Sequence, residues 1–505
     1  MMLNIPRIFV FSLITVIRRS CAFLEDTNKE VTEPPKIAII GGGIGGTSAS
    51  YFLSELFGDD AIVDLYEADT IGGRLATVPI GGRLYEVGGS IIHPKNEYMV
   101  KFASKFGFAK RAECSGNMGL FNGEEYVFKD SKWSLVTIMK LLWRYGLDVY
   151  RLDELTRNML GNFGKIYRLQ EEGHAYEDVG SLLSAMDPSF LTMTHSSTSS
   201  WLKGLGFHDL MVNELVMAVT QCNYGQTPDI QAFVGAIAVA GADSDLWAVE
   251  GGNRRVAEEL LKASRAALLK RLVTEIALKE DGRFTVTSVD TEMPFKRLFV
   301  EGNSAAVPQV DEEFSRSQDY DIVIIATPLT TDKSNIKFTN FTEELNFPGH
   351  YERVVCTMVE GKLVPETLRF TDDDPLDEIL VTNPRLIFNS FGKQHPVDLK
   401  DCYEDLPDVW KIFSPNPLPE QQLDIFFKER NSTHVIDWLA YPHYDQDQEM
   451  ARFALTPGMY HLNAIEWAGS AMEMEVIGAK NVALLAYKYW KNDPNAGRKT
   501  IKDEL

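Results

Sequence analysis

Short apolar runs that stop at glycine or at an acid alternate with segments of helical period, and this alternation organises the chain. Lys36-Ile37-Ala38-Ile39-Ile40 is a compact β-branched run, the pattern of a strand buried on both faces of a parallel sheet. It leads directly into Gly41-Gly42-Gly43-Ile44-Gly45-Gly46. Residues 47–57 then place Ala49, Phe52, Leu53 and Leu56 at helical spacing, and a second strand, 61–66, ends at Glu67. Two distant segments repeat the pattern. The run 320–328 is closed by Pro328, and 459–465 precedes Glu466-Trp467-Ala468-Gly469-Ser470 and a helix over 471–489. Between these pieces, 96–240 reads as largely helical, with 133–147 and 153–169 as examples, whereas 331–455 mixes strands and loops.

The order strand, GxGxxG, helix, strand, acid is that of a dinucleotide-binding turn. Gly41 permits the tight turn, Gly43 lets backbone N–H groups approach a pyrophosphate, and Gly46 lets helix pack on strand. The phosphates then meet the positive end of the helix dipole. Glu67, about 20 residues beyond the last glycine, is placed to accept from a ribose hydroxyl. Gly72-Gly73-Arg74 adds a glycine pair and a guanidinium suited to a second phosphate, which favours FAD over NAD. Gly88-Gly89 is a further close-approach pair, and Glu466 ahead of small residues and a helix is a second phosphate or ribityl cradle. The predicted fold is therefore α/β. A Rossmann-like FAD-binding domain, discontinuous over 36–95, 241–330 and 456–490, is interleaved with an α+β substrate domain of 96–240 and 331–455, and 491–505 form a tail.

The two ends add a compartment. Residues 8–17 are apolar but too few to span a bilayer, and with small residues at 20–22 they read as a signal peptide over 1–22. Lys502-Asp503-Glu504-Leu505 is a retention signal of the endoplasmic reticulum, which makes a KDEL receptor a candidate partner. Asn340 and Asn431 open glycosylation sequons, in keeping with a secretory-pathway lumen. The length of 505 residues and 45% hydrophobic content exclude a mainly disordered chain, and a net charge of −22 argues against a nucleic-acid partner. No His/Cys spacing suggests a metal. Four cysteines remain after cleavage, Cys114, Cys222, Cys356 and Cys402, without CxxC spacing; one or two disulfides and buried free thiols both stay open. The stretch 131–145 mixes Trp133, Trp143 and aliphatic residues with Lys132, Lys140 and Arg144. It is expected to be a core or tunnel-lining helix, with peripheral membrane contact as the alternative.

Several blocks together resemble one family. Residues 36–46, 72–77 and 85–94 are similar to the flavin amine-oxidase superfamily, as is Met472-Glu473-Met474. The chain more narrowly resembles the prenylcysteine oxidase (prenylcysteine lyase) family through Trp143-Arg144-Tyr145-Gly146, Asn223-Tyr224-Gly225-Gln226, 233–236, 246–253, 438–444 and 471–474. The resemblance implies a non-covalent FAD and oxidation of S-farnesyl- or S-geranylgeranyl-cysteine with O2 and water, giving cysteine, the prenyl aldehyde and H2O2. It further implies that Gly41, Gly43, Gly46, Glu67, Gly72, Gly73, Arg74, Gly88 and Gly89 shape the FAD site. Val273 is expected at the adenine, with Glu466 and Met472 along the ribityl chain and flavin. A lysosomal location is implied too, against the endoplasmic reticulum indicated by the tail.

Hydride removal from the carbon beside sulfur needs a dry, preorganised pocket more than a strong base. No residue stands out as that base. His93, after the glycine pair, is a weak candidate, and His443 a weaker one. Two rivals remain: a flavin oxidase acting on a polyamine or carotenoid, and a non-catalytic escort of prenylated proteins with the same fold. The complete glycine motif weighs against the escort, and the narrow blocks weigh against the other oxidases.

Overall fold

The computed structural model describes residues 33–112, 114, 116–242, 245–291, 315–446 and 448–492. The expected signal peptide (1–22) and the terminal tetrapeptide (502–505) lie outside the described residues.

The run at 36–40 forms β1 (Lys36–Ile40), at the heart of a six-stranded sheet. Parallel neighbours flank it: β2 (Ile62–Tyr66) on one side and β11 (Ile322–Ile325) on the other. Beyond them lie β7 (Ala267–Leu269), β19 (Met459–His461) and the edge strand β18 (Ala454–Thr456). The lack of polar alternation in β1 has a simple cause, because both faces are covered. Ile37 and Ile39 pack with helices α1 (Ile44–Phe57), α7 (Arg254–Ser264) and α8 (Met472–Asn492). Ala38 and Ile40 pack against a second, four-stranded sheet made of β8 (Arg271–Leu278), β9 (Phe284–Asp290), β10 (Ser315–Tyr320) and β12 (Lys337–Thr339). Nucleotide-type architecture is thus assembled from the start, middle and end of the chain.

A seven-stranded sheet builds the other half. Its order is β17 (Phe427–Pro442), β13 (Tyr351–Leu363), β16 (Val409–Ser414), β15 (Ser390–Gln394), β14 (Glu378–Val381), β5 (Met118–Phe121), β6 (Tyr126–Lys129). The hairpin of β3 (Thr77–Ile80) and β4 (Arg83–Glu86) packs onto it through Ile80 and Tyr85 against Cys356 and Met358. Helices α2 (Glu97–Lys105), α3 (Ser134–Tyr145), α4 (Asp148–Phe163), α5 (Thr198–Gly204) and α6 (Ala232–Ala240), together with further short helices between them, occupy most of the first intervening stretch.

Several expectations change. The stretch 96–240 is largely helical, but it also holds β5 and β6, four residues each and too short to show a period, which pair with each other while β5 pairs with β14. In 331–455, β12 joins β8 in parallel instead of the large sheet, and β18 pairs with β19. The helix expected at 153–169 is two, α4 and Lys165–Glu171, which meet at Gly164. The segment 459–465 is strand only to His461 and then a 3-10 turn, Leu462–Trp467. The largest difference is α3: it is neither core nor tunnel lining, because Trp143 is 87% and Leu135 70% exposed. Of the cysteines, Cys114 and Cys402 form one disulfide, while Cys222 and Cys356 are free thiols.

Candidate active site

The C-terminal ends of β1, β11 and β19 converge, and the glycine turn forms there. Gly41 has φ +110, and a Cβ on it would lie 2.5 Å from the Ala326 carbonyl oxygen at the end of β11. A Cβ on Gly46 would lie 1.9 Å from the Gly41 oxygen, so α1 can start at this height only with glycine there. Gly43 caps α1, and a Cβ on it would meet nothing closer than 4.0 Å. No acid stands in the first turn of α1, so its free amides keep the positive end of the helix dipole. The second glycine pair lies against the first: Gly72 N–H donates to the Gly42 carbonyl (2.9 Å), and Gly43 bridges Gly72. A bare backbone cradle at a helix N-terminus, open on the Gly43 and Gly73 side, fits a pyrophosphate.

Glu67 follows β2. Its oxygens accept from the backbone N–H groups of Gly42 and Asp69 (2.7 Å each), and burial pushes its carboxyl up despite them. Lone pairs remain for further donors. Arg271 N–H donates to the Glu67 carbonyl (3.1 Å), which sets β8 and the buried Val273 beside this corner.

Arg74, expected at a second phosphate, is engaged elsewhere in this structure. Its guanidinium pairs with the fully buried Glu466, and it donates to the Ala440 carbonyl (2.6 Å) and Ser470 Oγ (3.3 Å). It keeps 32% of its side chain exposed, so the ion pair borders open space. The nearby glycine pair closes on the same group. A Cβ on Gly88 would lie 1.8 Å from the Arg74 oxygen and 3.0 Å from the Trp438 ring, and one on Gly89 would lie 3.8 Å from Met472. The turn 85–90 and the start of α8 are therefore neighbours, although they are far apart in sequence.

Glu466 anchors a buried polar cluster. Tyr351 Oη donates to it (3.0 Å), as does Asn463 Nδ2 (2.6 Å). Burial alone would raise its carboxyl, but the Arg74 charge holds it well below the usual range. Glu475 faces the opposite fate: burial and the negative Glu466 push it up, so one proton stays on the pair's second member. Glu473, next to Met472, accepts from Tyr98 N–H, Met99 N–H and Tyr167 Oη, and burial still pushes it up to about 7. Lys333 lies over the Tyr351 ring (5.5 Å) and donates to the Leu439 carbonyl (3.0 Å). Crowding by protein and the Arg74 charge lower its amine to about 8.

The histidine candidates sit in local roles. His93 Nδ1 accepts from Lys95 N–H (3.0 Å) in the turn before α2. His443 bonds Glu352 through Nδ1 (2.6 Å) and stacks on His350 with ring centroids 4.7 Å apart. Sequence reasoning missed Lys333, Tyr351, Asn463, Glu475 and the buried Asn253, whose Nδ2 donates to the Gly89 carbonyl (3.2 Å). The only signal was position: Lys333 follows the strand-end Pro328, and Asn463 and Glu475 flank Glu466.

A family profile described as Prenylcysteine lyase matches residues 128–498, and one described as NAD(P)-binding Rossmann-like domain matches 39–106. The chain belongs to the prenylcysteine lyase family. Among its relatives, human "Prenylcysteine oxidase 1" is 40% identical over 91% of this chain and 90% of its own length. The Bos taurus protein of that name is 38% identical over 94% and 92%, and human "Prenylcysteine oxidase 1-like" is 34% identical over 91% and 92%. Solved structures share the fold at low identity. Cyclohexylamine oxidase from Brevibacterium oxydans superposes with a TM-score of 0.56 (15% identity, 90% of this chain, 99% of that one). A fatty acid isomerase from P. acnes gives 0.55 (14%, 90% and 98%). In this member of the prenylcysteine lyase family, the glycine cradle, the Arg74–Glu466 pair and Lys333 share one corner, between the nucleotide-type sheet and the strands β13 and β17.

Proposed function

We propose that this chain is an FAD-dependent oxidase of S-prenyl-L-cysteine. The observation that carries the reading is whole-length likeness to prenylcysteine oxidases together with an intact glycine cradle at the N-terminus of α1. FAD, when bound, supplies the two-electron acceptor that oxygen later regenerates. Gly41, Gly43, Gly46, Gly72 and Gly73 would hold its pyrophosphate, with Glu67 and Val273 toward the adenosine. Gly88, Gly89, Glu466 and Met472 would lie along the ribityl chain and ring.

The chain's own residues do the rest. A narrow apolar cleft lined by Leu152, Leu155, Met159, Trp201, Ala236 and Val239 has the lining an isoprenoid tail needs but not the room, so its side chains would have to part to admit one. Helix α6 runs from this cleft toward the site, since a Cβ on Gly469 would meet Ile237 at 2.5 Å. Hydride leaves the carbon attached to sulfur, and water adds to the resulting thiocarbenium. The Lys333 amine, with its lowered affinity for protons, can take up the proton this water releases at Nζ. The thiohemiacetal then collapses to aldehyde and cysteine thiol. The overall balance is S-prenylcysteine + O2 + H2O to cysteine, prenyl aldehyde and H2O2.

The compartment proposed is the secretory-pathway lumen. The disulfide Cys114–Cys402 and the exposure of both sequon residues, Asn340 and Asn431, support it, as does the apolar N-terminal run. Between lysosome and endoplasmic reticulum, reading of residues 502–505 by a KDEL receptor would select the latter. The enzymatic reading is tested by incubating purified protein with farnesylcysteine in air. Farnesal and H2O2 in equal amounts are expected, and a colourless, FAD-free protein would favour the prenyl-protein escort.

A further inference from the structure

Helix α3 leaves its apolar side uncovered. Leu135, Met139 and Trp143 recur every fourth residue and form one stripe, with exposures of 70%, 61% and 87%. Trp133 extends the stripe at the start of the helix, and Leu147 and Tyr150 continue the exposed apolar surface past its end. A contiguous patch of this kind marks an interaction site. The opposite side of α3 is anchored. Tyr145 is buried with Leu152 and Leu202, and Leu141 packs on that cluster beside Leu155, Trp201 and Val239. Leu152, Leu155, Trp201, Leu202 and Val239 also form the wall of the apolar cleft.

Charge decides the occupant. Residues 131–147 contain no acid, in a chain that carries 72; Arg144 is paired with Glu214 (2.6 Å), and the exposed Lys132 and Lys140 leave the face cationic. Two copies of this face brought together would set Lys132 and Lys140 against their counterparts with no carboxylate in the stripe to receive them. Headgroup phosphates would receive them, while the ring and indole N–H of the two tryptophans suit a boundary between acyl chain and water. The net charge of −22 repels a strongly anionic surface. The surface that fits is therefore zwitterionic phospholipid.

We propose that α3 is a membrane-docking helix that inserts Leu135, Met139 and Trp143 into a phosphatidylcholine surface and thereby brings the neighbouring apolar cleft to prenyl chains dissolved there. The use of the cleft rests on the oxidase reading; the docking does not. The test uses the FAD-loaded full chain in two assays. Co-sedimentation with phosphatidylcholine vesicles is expected to pull down the wild type, and Met139→Ser with Trp143→Ser is expected to weaken partitioning at least roughly tenfold. Both residues lie outside the cleft, so turnover of farnesylcysteine free in solution stays within about twofold, while turnover of vesicle-embedded geranylgeranylcysteine falls with binding. Absence of vesicle binding by the wild type overturns the docking, as does equal binding by the double variant. A wild-type dimer in sedimentation velocity that the double variant dissolves, without vesicle binding, would assign the face to a second copy of the chain. Failure of turnover with all substrates, with vesicle binding intact, would strike the oxidase reading alone.

Discussion

Of the site groups with perturbed protonation, Lys333 and Glu473 have different consequences. Surrounding protein and the Arg74 charge lower the Lys333 amine to about 8, so its neutral form grows as pH rises through that value. If Nζ accepts the proton of the attacking water, turnover rises with pH through about 8 and levels above it. Lys333→Met should lower turnover at least roughly tenfold, flatten that rise and leave FAD content unchanged. A pH–rate profile identical to the wild type would remove Lys333 from the chemistry. Glu473 works through stability instead. Burial raises it to about 7, so the native state keeps a proton that the unfolded chain releases above about 4.5. The native state therefore binds more protons between these values, and stability falls as pH rises from about 4.5 to 7, by roughly 3 kcal/mol at most. Glu473→Gln should flatten this component in thermal melts recorded across that window. A melting profile with the wild-type slope would show that Glu473 titrates normally.

Elements explain which parts of this site were legible. The strand–glycine–helix–strand unit could be read because each piece has a local cause: β1 is apolar on both faces, and Gly46 must approach the Gly41 carbonyl. That closeness gives a sharp contrast. Gly46→Ala would place a methyl group 1.9 Å from the Gly41 oxygen, so it should destabilise by about 1–3 kcal/mol or more and abolish FAD retention. Gly161→Ala in α4, where a Cβ meets nothing within 4 Å, should be neutral or stabilising by about 0.5–1 kcal/mol. Denaturant melts and flavin content measure both, and an FAD-replete Gly46→Ala protein would contradict the cradle. Other features could not be read locally. The strands β5 and β6 span four residues each and acquire meaning only from β14, which lies over two hundred residues downstream. The side chains of α3 have the composition of a buried helix, and burial is set by what packs on them, which no local pattern records. Arg74 was recognisable as a site residue, but its partner Glu466 is 392 positions away.

At the scale of the molecule, two halves share one corner. The glycine turns come from the nucleotide-type half, while Tyr351 and Ala440 come from strands of the seven-stranded sheet, and the Arg74–Glu466 pair joins them. The disulfide Cys114–Cys402 clips the segment before β5 to the loop before β16. This arrangement encloses a polar, charge-balanced cluster that suits a polar amino-acid head, beside a narrow apolar cleft that a lipid tail would have to widen. An escort would have no need of the cradle. The most direct test of the account is anaerobic mixing of the purified flavoprotein with S-farnesylcysteine, followed by its visible absorbance. The account predicts loss of the oxidised-flavin band with farnesylcysteine and none with spermidine. A band that farnesylcysteine leaves unchanged, or that spermidine bleaches, would contradict it.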